Sequence, residues 1–213
     1  MAHIYCISGV GADERIFGKL KIAGHELVPV PWPPFESSDD IRSYAKKISE
    51  QIPDENPILL GLSFGGMLAV EIGKIRPTNR IFLVSSAKST SQLPRIGRLP
   101  SAGFLLSMTP DAVFSNPGFL NSRFIGAKSD EDRELLTAMM KASAPGFIKW
   151  ALKAIVHWNN KSYPTNITQL HGTADLVIPS LNVRADHWIK GGTHIMIYNQ
   201  AAEVSKIISD CLS

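Results

Sequence analysis

Apolar residues recur along this chain in two alternating rhythms. Ala2–Ser8 is a short apolar, β-prone run that ends in Gly9-Val10-Gly11, which predicts a buried strand and then a tight loop. Asp13–Leu20 is a short helix candidate, and His25–Val30 a second strand, stopped by Pro31, Pro33 and Pro34. The period then changes. Ile41, Tyr44, Ala45, Ile48 and Ile52 fall on one face of a helix over Ser38–Ile52, which Ser37 or Ser38 can cap. Pro57–Leu62, Phe64–Arg76 and Arg80–Ser85 repeat the sequence strand, helix, strand. Strands that alternate with helices imply a parallel sheet covered on both faces.

That rhythm breaks over 87–163, where no strand pattern stands out. Thr109-Pro110 looks like a helix start, with a cap residue followed by Pro at the first helical position. Ser129-Asp130-Glu131-Asp132 begins another helix, running to about Ser143, and Pro145 opens a third, through Trp158. The α/β pattern resumes with strands Asn166–His171 and Val183–Lys190. A final helix, Asn199–Leu212, carries its apolar stripe on Val204, Ile207, Ile208, Cys211 and Leu212. The organisation expected is an α/β core from 1–86 and 164–213, interrupted by a mostly helical insertion over 87–163.

Composition narrows the classes. A chain of 213 residues with 44% apolar and 19% charged residues suits one globular domain. Its net charge of +3 is small and the Lys and Arg are scattered, so nucleic acid is not an expected partner. The sequence has no H-E-x-x-H, no Cys cluster and no Walker loop. Gly9-x-Gly11 lacks the third glycine of a dinucleotide fingerprint, so neither metal nor cofactor is expected. The 2 cysteines, Cys6 and Cys211, read as separate buried thiols. No signal-peptide pattern and no run of ~18 apolar residues is visible, and the expected location is the cytoplasm. Oligomeric state is left open, because docking onto the sheet accounts for the last amphipathic helix.

Candidate chemistry centres on Gly61-Leu62-Ser63-Phe64-Gly65. This G-x-S-x-G follows a predicted strand and opens a predicted helix, with a further glycine at Gly66. A serine on such a turn sits in strained backbone with its hydroxyl exposed at the positive end of a helix. It needs a base, and the base needs a third group to orient it. In an open α/β sheet such groups belong at the carboxyl ends of strands. Gly172-Thr173-Ala174-Asp175 follows one late strand and Gly191-Gly192-Thr193-His194 the next. Other readings stay open here: Ser63 as a turn serine, Asp175 as a turn former before Pro179, and His171 or His187 in place of His194.

The chain resembles the α/β-hydrolase family along most of its length. The resemblance rests on Gly61-Leu62-Ser63-Phe64-Gly65-Gly66, on His171-Gly172-Thr173-Ala174-Asp175 with Ile178-Pro179, and on Gly191-Gly192-Thr193-His194, in the family's Ser…Asp…His order. It implies an α/β-hydrolase fold: a mostly parallel sheet flanked by helices, with 87–163 as a helical cap insertion. The roles it implies are Ser63 as nucleophile, His194 as base and Asp175 as the group that orients it. Some relatives carry the acid one strand earlier, but Ser85-Ser86-Ala87 offers no carboxylate. The oxyanion hole should use the backbone N–H groups of Phe64 and Val10. That loop often reads His-Gly-x in the family. Here it is Ser8-Gly9-Val10-Gly11, which leaves the packing behind it unaccounted for.

Of the apolar residues in the insertion (Phe104, Leu105, Leu106, Met108, Phe114, Phe119, Phe124, Met139, Met140, Phe147, Trp150 and Trp158), most are expected to glue it to the core. Met139, Met140 and Trp150, together with Trp32, are the pocket candidates. The expected function is hydrolysis of a small, largely apolar carboxylic ester through an acyl-enzyme, with an ester-type small molecule as partner. Thioesterase, lactonase or lyase chemistry on the same residues is the nearer alternative, and a non-catalytic ligand-binding protein the farther one.

Overall fold

The computed structural model describes residues 1–94, 105–110, 113 and 122–213. Six strands form its sheet: β1 (Ala2–Ile7), β2 (His25–Pro29), β3 (Ile58–Leu62), β4 (Arg80–Val84), β5 (Ile167–Gly172) and β6 (His187–Ile189). They lie in the order β2-β1-β3-β4-β5-β6, with every pairing parallel. The chain leaves β1 toward β2 and returns on the other side as β3. The strand order therefore reverses between β1 and β3, and the crevice outside their carboxyl ends is where such sheets bind ligands.

Alternation along the strands divides the core in two. Tyr5, Ile7, Leu59, Ile81 and Leu83 point to one side, where they meet α1 (Ile41–Ser49) and α2 (Phe64–Ile75). Ile4, Cys6, Leu60, Phe82 and Val84 point to the other, against the Glu14–Phe17 turn and the C-terminal helix pair. Every residue of β3 is buried, as a central parallel strand requires.

Local chemistry moves several boundaries. Asp40, and not Ser37 or Ser38, caps α1. Its carboxylate accepts from Arg42 N and Ser43 N while Ser43 Oγ accepts from Asp40 N. The Asp13–Leu20 helix contracts to one 3-10 turn over Glu14–Phe17, capped by Asp13, whose carboxylate also pairs with Arg15 at 2.5 Å. The strand expected over Val183–Lys190 shrinks to His187–Ile189. The Asp186 carboxylate takes the Gln169 N–H at 2.7 Å, so a side chain ends the ladder where a carbonyl would extend it.

The last helix is split at Gln200 (φ −128°) into α6 (Met196–Asn199) and α7 (Ala201–Leu212); the short helix α3 (Ser122–Ile125), α4 (Asp130–Ala142) and α5 (Phe147–His157) lie between β4 and β5. Ser129 and Asp132 form a capping box at the start of α4. Phe104, Phe114, Phe119 and most of the helix expected after Thr109-Pro110 lie outside the described residues. Both cysteines are free. Cys6 is buried, and Cys211, expected to be buried, is half-buried beside His187 because it flanks the sheet edge.

Candidate active site

Ser63 joins β3 to α2 with φ 51° and ψ −117°, backbone that a side-chain-bearing residue adopts only under constraint. The constraints are visible. Ser63 N donates to Val84 O at 3.0 Å, and Ser86 Oγ donates to Ser63 O at 2.6 Å. A Cβ at Gly65 would overlap the Ile7 carbonyl, so only glycine lets α2 start against the end of β1. The Phe64 amide opens α2 with no carbonyl a turn behind it to accept its hydrogen, at the positive end of the helix.

His194 and Asp175 arrive from the ends of β6 and β5. Their loops are tied together: Ala174 N donates to Gly192 O at 2.9 Å, Thr173 N to Ile189 O at 3.0 Å, and Gly191 N to Thr173 Oγ1 at 2.8 Å. His194 Nε2 then lies 2.9 Å from Ser63 Oγ, and its Nδ1 lies 2.9 Å from Asp175 Oδ2. The second carboxylate oxygen accepts from Val177 N and Ile178 N, each at 2.9 Å. A carboxylate only accepts, so Nδ1 carries the proton and Nε2 presents its lone pair to the serine hydroxyl. Burial alone would raise the Asp175 pKa. The His194 ring beside it and the hydrogen bonds it accepts outweigh burial and hold the carboxyl below its ordinary range.

Of the histidines weighed in the sequence, His194 is the one that reaches Ser63. His171 is fully buried and donates from Nε2 to Ile178 O at 2.8 Å, behind Asp175. Burial in turn lowers its pKa. His187 lies on β6 against Cys211, 3.6 Å from its sulfur.

The loop after β1 packs directly on the serine: a Cβ at Gly9 would stand 3.3 Å from Ser63 Cβ. Val10 lines the same cavity as Ser63 and His194. This loop, Ser8-Gly9-Val10-Gly11, is tied down by side chains. Trp32 Nε1 and Ser8 Oγ both donate to Ala12 O, at 3.1 and 2.9 Å, and hold the loop from behind.

That support sets Trp32 beside the serine cavity and not in its wall. Its ring stacks on Phe64 and Tyr44 and tilts against Phe147, so it braces the elbow and lines clefts beside the serine cavity. Trp150 is likewise not in the serine cavity. Its indole donates to Asp39 O at 3.1 Å and packs on Tyr44, which ties α5 to α1. Met139 faces the core on the inner side of α4 and reaches the neighbouring cleft, whereas Met140, one helical position on, does line the serine cavity.

Sequence reasoning missed Leu136, Leu152, Ile155 and Val177, which line that cavity. A signal for two of them was present. Helix α5 is apolar on a second stripe, Ile148, Leu152 and Ile155, besides the stripe Phe147, Trp150, Ala151 and Ala154 that joins the core. Two stripes imply two buried faces.

The turn after Phe124 and Ile125 touches the histidine loop. Gly126, at φ +97°, accepts from Thr193 Oγ1 and Asn199 Nδ2, each at 3.2 Å, and a Cβ there would overlap Thr193, the residue before His194.

No protein-family model and no curated protein matches this sequence. Solved structures do match, over nearly the whole chain. A thermophilic esterase is 16% identical with a TM-score of 0.71, over 98% of this chain and 88% of that one. This chain has the α/β-hydrolase fold. Two further α/β-hydrolase-fold structures are similar. A lipase-esterase related protein from Clostridium acetobutylicum is 14% identical, TM-score 0.65, over 98% of this chain and 93% of that one. The 2-hydroxy-6-oxo-6-phenylhexa-2,4-dienoate hydrolase of Rhodococcus sp. strain RHA1 is 15% identical, TM-score 0.66, over 98% and 89%. Among the described residues no helix of this α/β-hydrolase fold is long and apolar enough to cross a membrane, and no cluster of His, Cys, Asp and Glu is arranged to hold a metal.

Proposed function

We propose that the chain is a serine hydrolase that cleaves small, largely apolar carboxylic esters through an acyl-enzyme on Ser63. One observation carries the reading: the unbroken relay from Ser63 Oγ to His194 to Asp175, with 2.9 Å at each link. A structural histidine needs no such alignment with a strained serine.

The chemistry follows from the groups present. Ser63 Oγ attacks the ester carbonyl carbon as His194 Nε2 takes its proton, and the carbonyl electrons move to the oxygen. The amides of Phe64 and Val10 receive that oxyanion. Its collapse breaks the bond to the alcohol oxygen, which leaves with the proton from His194 Nε2. Water then attacks the acyl carbon and gives a proton to His194; collapse breaks the bond to Ser63 Oγ, which takes that proton back from His194 Nε2 as the acid is released. Asp175 keeps the ring in the required tautomer and balances its transient positive charge.

The names of the esterase and lipase-esterase structures with this fold support hydrolysis of an ester. In this reading 87–163 is a cap that roofs the serine, and the free thiols suit a reducing compartment such as the cytoplasm.

The test is intact mass after incubation with a fluorophosphonate, with peptide mapping and a Ser63→Ala control. One adduct on Ser63, absent from the folded variant, together with hydrolysis of p-nitrophenyl acetate that Ser63→Ala abolishes, is expected. A folded protein that takes no adduct, or a variant that keeps most of the turnover, overturns the proposal.

A further inference from the structure

The cavity that holds Ser63 and His194 has a volume of about 160 Å³. Among the described residues its walls are otherwise apolar: Leu136 and Met140 from α4, Leu152 and Ile155 from α5, Phe124 from α3 and Val177 from the acid loop. An apolar protein cavity of ~150 Å³ is large enough for one benzene molecule. We propose that this cavity is the acyl pocket, and that it selects an uncharged acyl group of that size: a benzoyl group or a straight chain of ~4–6 carbons. The inference rests on the serine-hydrolase reading above and adds to it the size and charge of the substrate.

The acyl side is the one assigned because of what each half of the ester must do. The acyl group stays bonded to Ser63 until water releases it, so walls around the serine act on it through both steps. The alcohol leaves after the first step and needs a way out. A wider cleft, about 500 Å³, shares Ala12 with the cavity and is bordered by Trp32, Phe35 and Ser143; it takes the alcohol. Charge is excluded on the acyl side, because no described cationic side chain lines the cavity to pair with a carboxylate left there without water.

Leu152 and Ile155 set the depth. They sit three residues apart on α5, so both reach the cavity from adjacent turns of one helix.

The experiment measures kcat/KM for p-nitrophenyl esters from acetate to decanoate, with benzoate and the adipate half-ester, on the wild type, Leu152→Trp and Ile155→Ala. Fluorophosphonate labelling of Ser63 is recorded for each. In the wild type kcat/KM should climb by about fourfold per methylene while methylenes find apolar contact. It should peak near hexanoate, fall at least tenfold by decanoate, and be at least a hundredfold lower for the adipate half-ester than for hexanoate. Leu152→Trp should move the peak to shorter chains and Ile155→Ala to longer ones. A profile that stays level to decanoate, or an optimum acyl length that moves when the series is repeated with a different alcohol, in protein that still labels on Ser63, overturns the pocket assignment and leaves the hydrolase reading standing. Neither label nor turnover overturns both. The wild-type profile decides the matter even if a variant fails to fold.

Discussion

Asp175→Asn isolates the role of the buried acid, because the structure dictates how the amide must lie. One carboxylate oxygen accepts from Val177 N and Ile178 N, and the other faces His194 Nδ1 at 2.9 Å. Asparagine has a single acceptor oxygen, and the two backbone donors hold it where Oδ1 sits. The NH2 group then occupies the Oδ2 position and aims its hydrogens at Nδ1. Nδ1 can meet a donor only by giving up its own proton, so the ring proton moves to Nε2. Nε2–H faces Ser63 Oγ and cannot act as a base, and the anion that balances the imidazolium is gone. The same tautomer change in a serine-protease triad costs about 10⁴ in kcat, equivalent to ~5 kcal/mol of barrier. The expected result is a kcat lower by about 10⁴, with KM changed only a few-fold. The thermal midpoint should stay close to that of the wild type, because both backbone hydrogen bonds survive. Stopped-flow release of p-nitrophenol and a calorimetric scan on the same preparation measure this. A folded Asp175→Asn protein with kcat within tenfold of the wild type refutes the orientation argument.

Other substitutions test the surroundings. Gly126→Ala places a Cβ on Thr193 at a positive φ. Backbone strain of ~1–3 kcal/mol and overpacking of ~1–3 kcal/mol should lower urea stability by about 2–6 kcal/mol and reduce kcat through the shifted His194 loop; a loss under ~1 kcal/mol contradicts it. His171 is buried with its pKa below the ordinary histidine value. The unfolded chain therefore takes up a proton near pH ~6.5 that the native state refuses. The contribution is fully present above that pH and is lost as pH falls toward the native value, at up to ~1.4 kcal/mol per pH unit. His171→Gln should flatten that limb in melts run from pH 7 to 5, and an unchanged slope would count against it.

The order of elements and the residues that meet at the site were legible because both are written locally. A strand of the sheet is a short apolar run, α1 is a 3.6-residue stripe, and Ser63, Asp175 and His194 each sit directly after a strand in loops marked by glycine. A parallel sheet brings all its carboxyl ends to one edge, so loop position along the chain translates into nearness in space. Boundaries were less legible where a side chain competes with the backbone. The Asp40 capping box starts α1 three residues late, and the Asp186 carboxylate stops β6 short.

The pocket walls were decided only by the tertiary structure. Periodicity tells which residues avoid water, not which neighbour covers them. Met139 and Trp150 are as apolar as Met140, Leu152 and Ile155, yet the first two pack into the core while the others face the serine. What separates them is the rotation of α4 and α5 against the sheet, set by contacts far away in sequence such as Trp150 Nε1 to Asp39 O and Thr193 Oγ1 to Gly126 O. The alternation of strand and helix and the spacing of Ser63, Asp175 and His194 determined the fold and which polar side chains meet; long-range packing determined which apolar side chains bound the space beside Ser63.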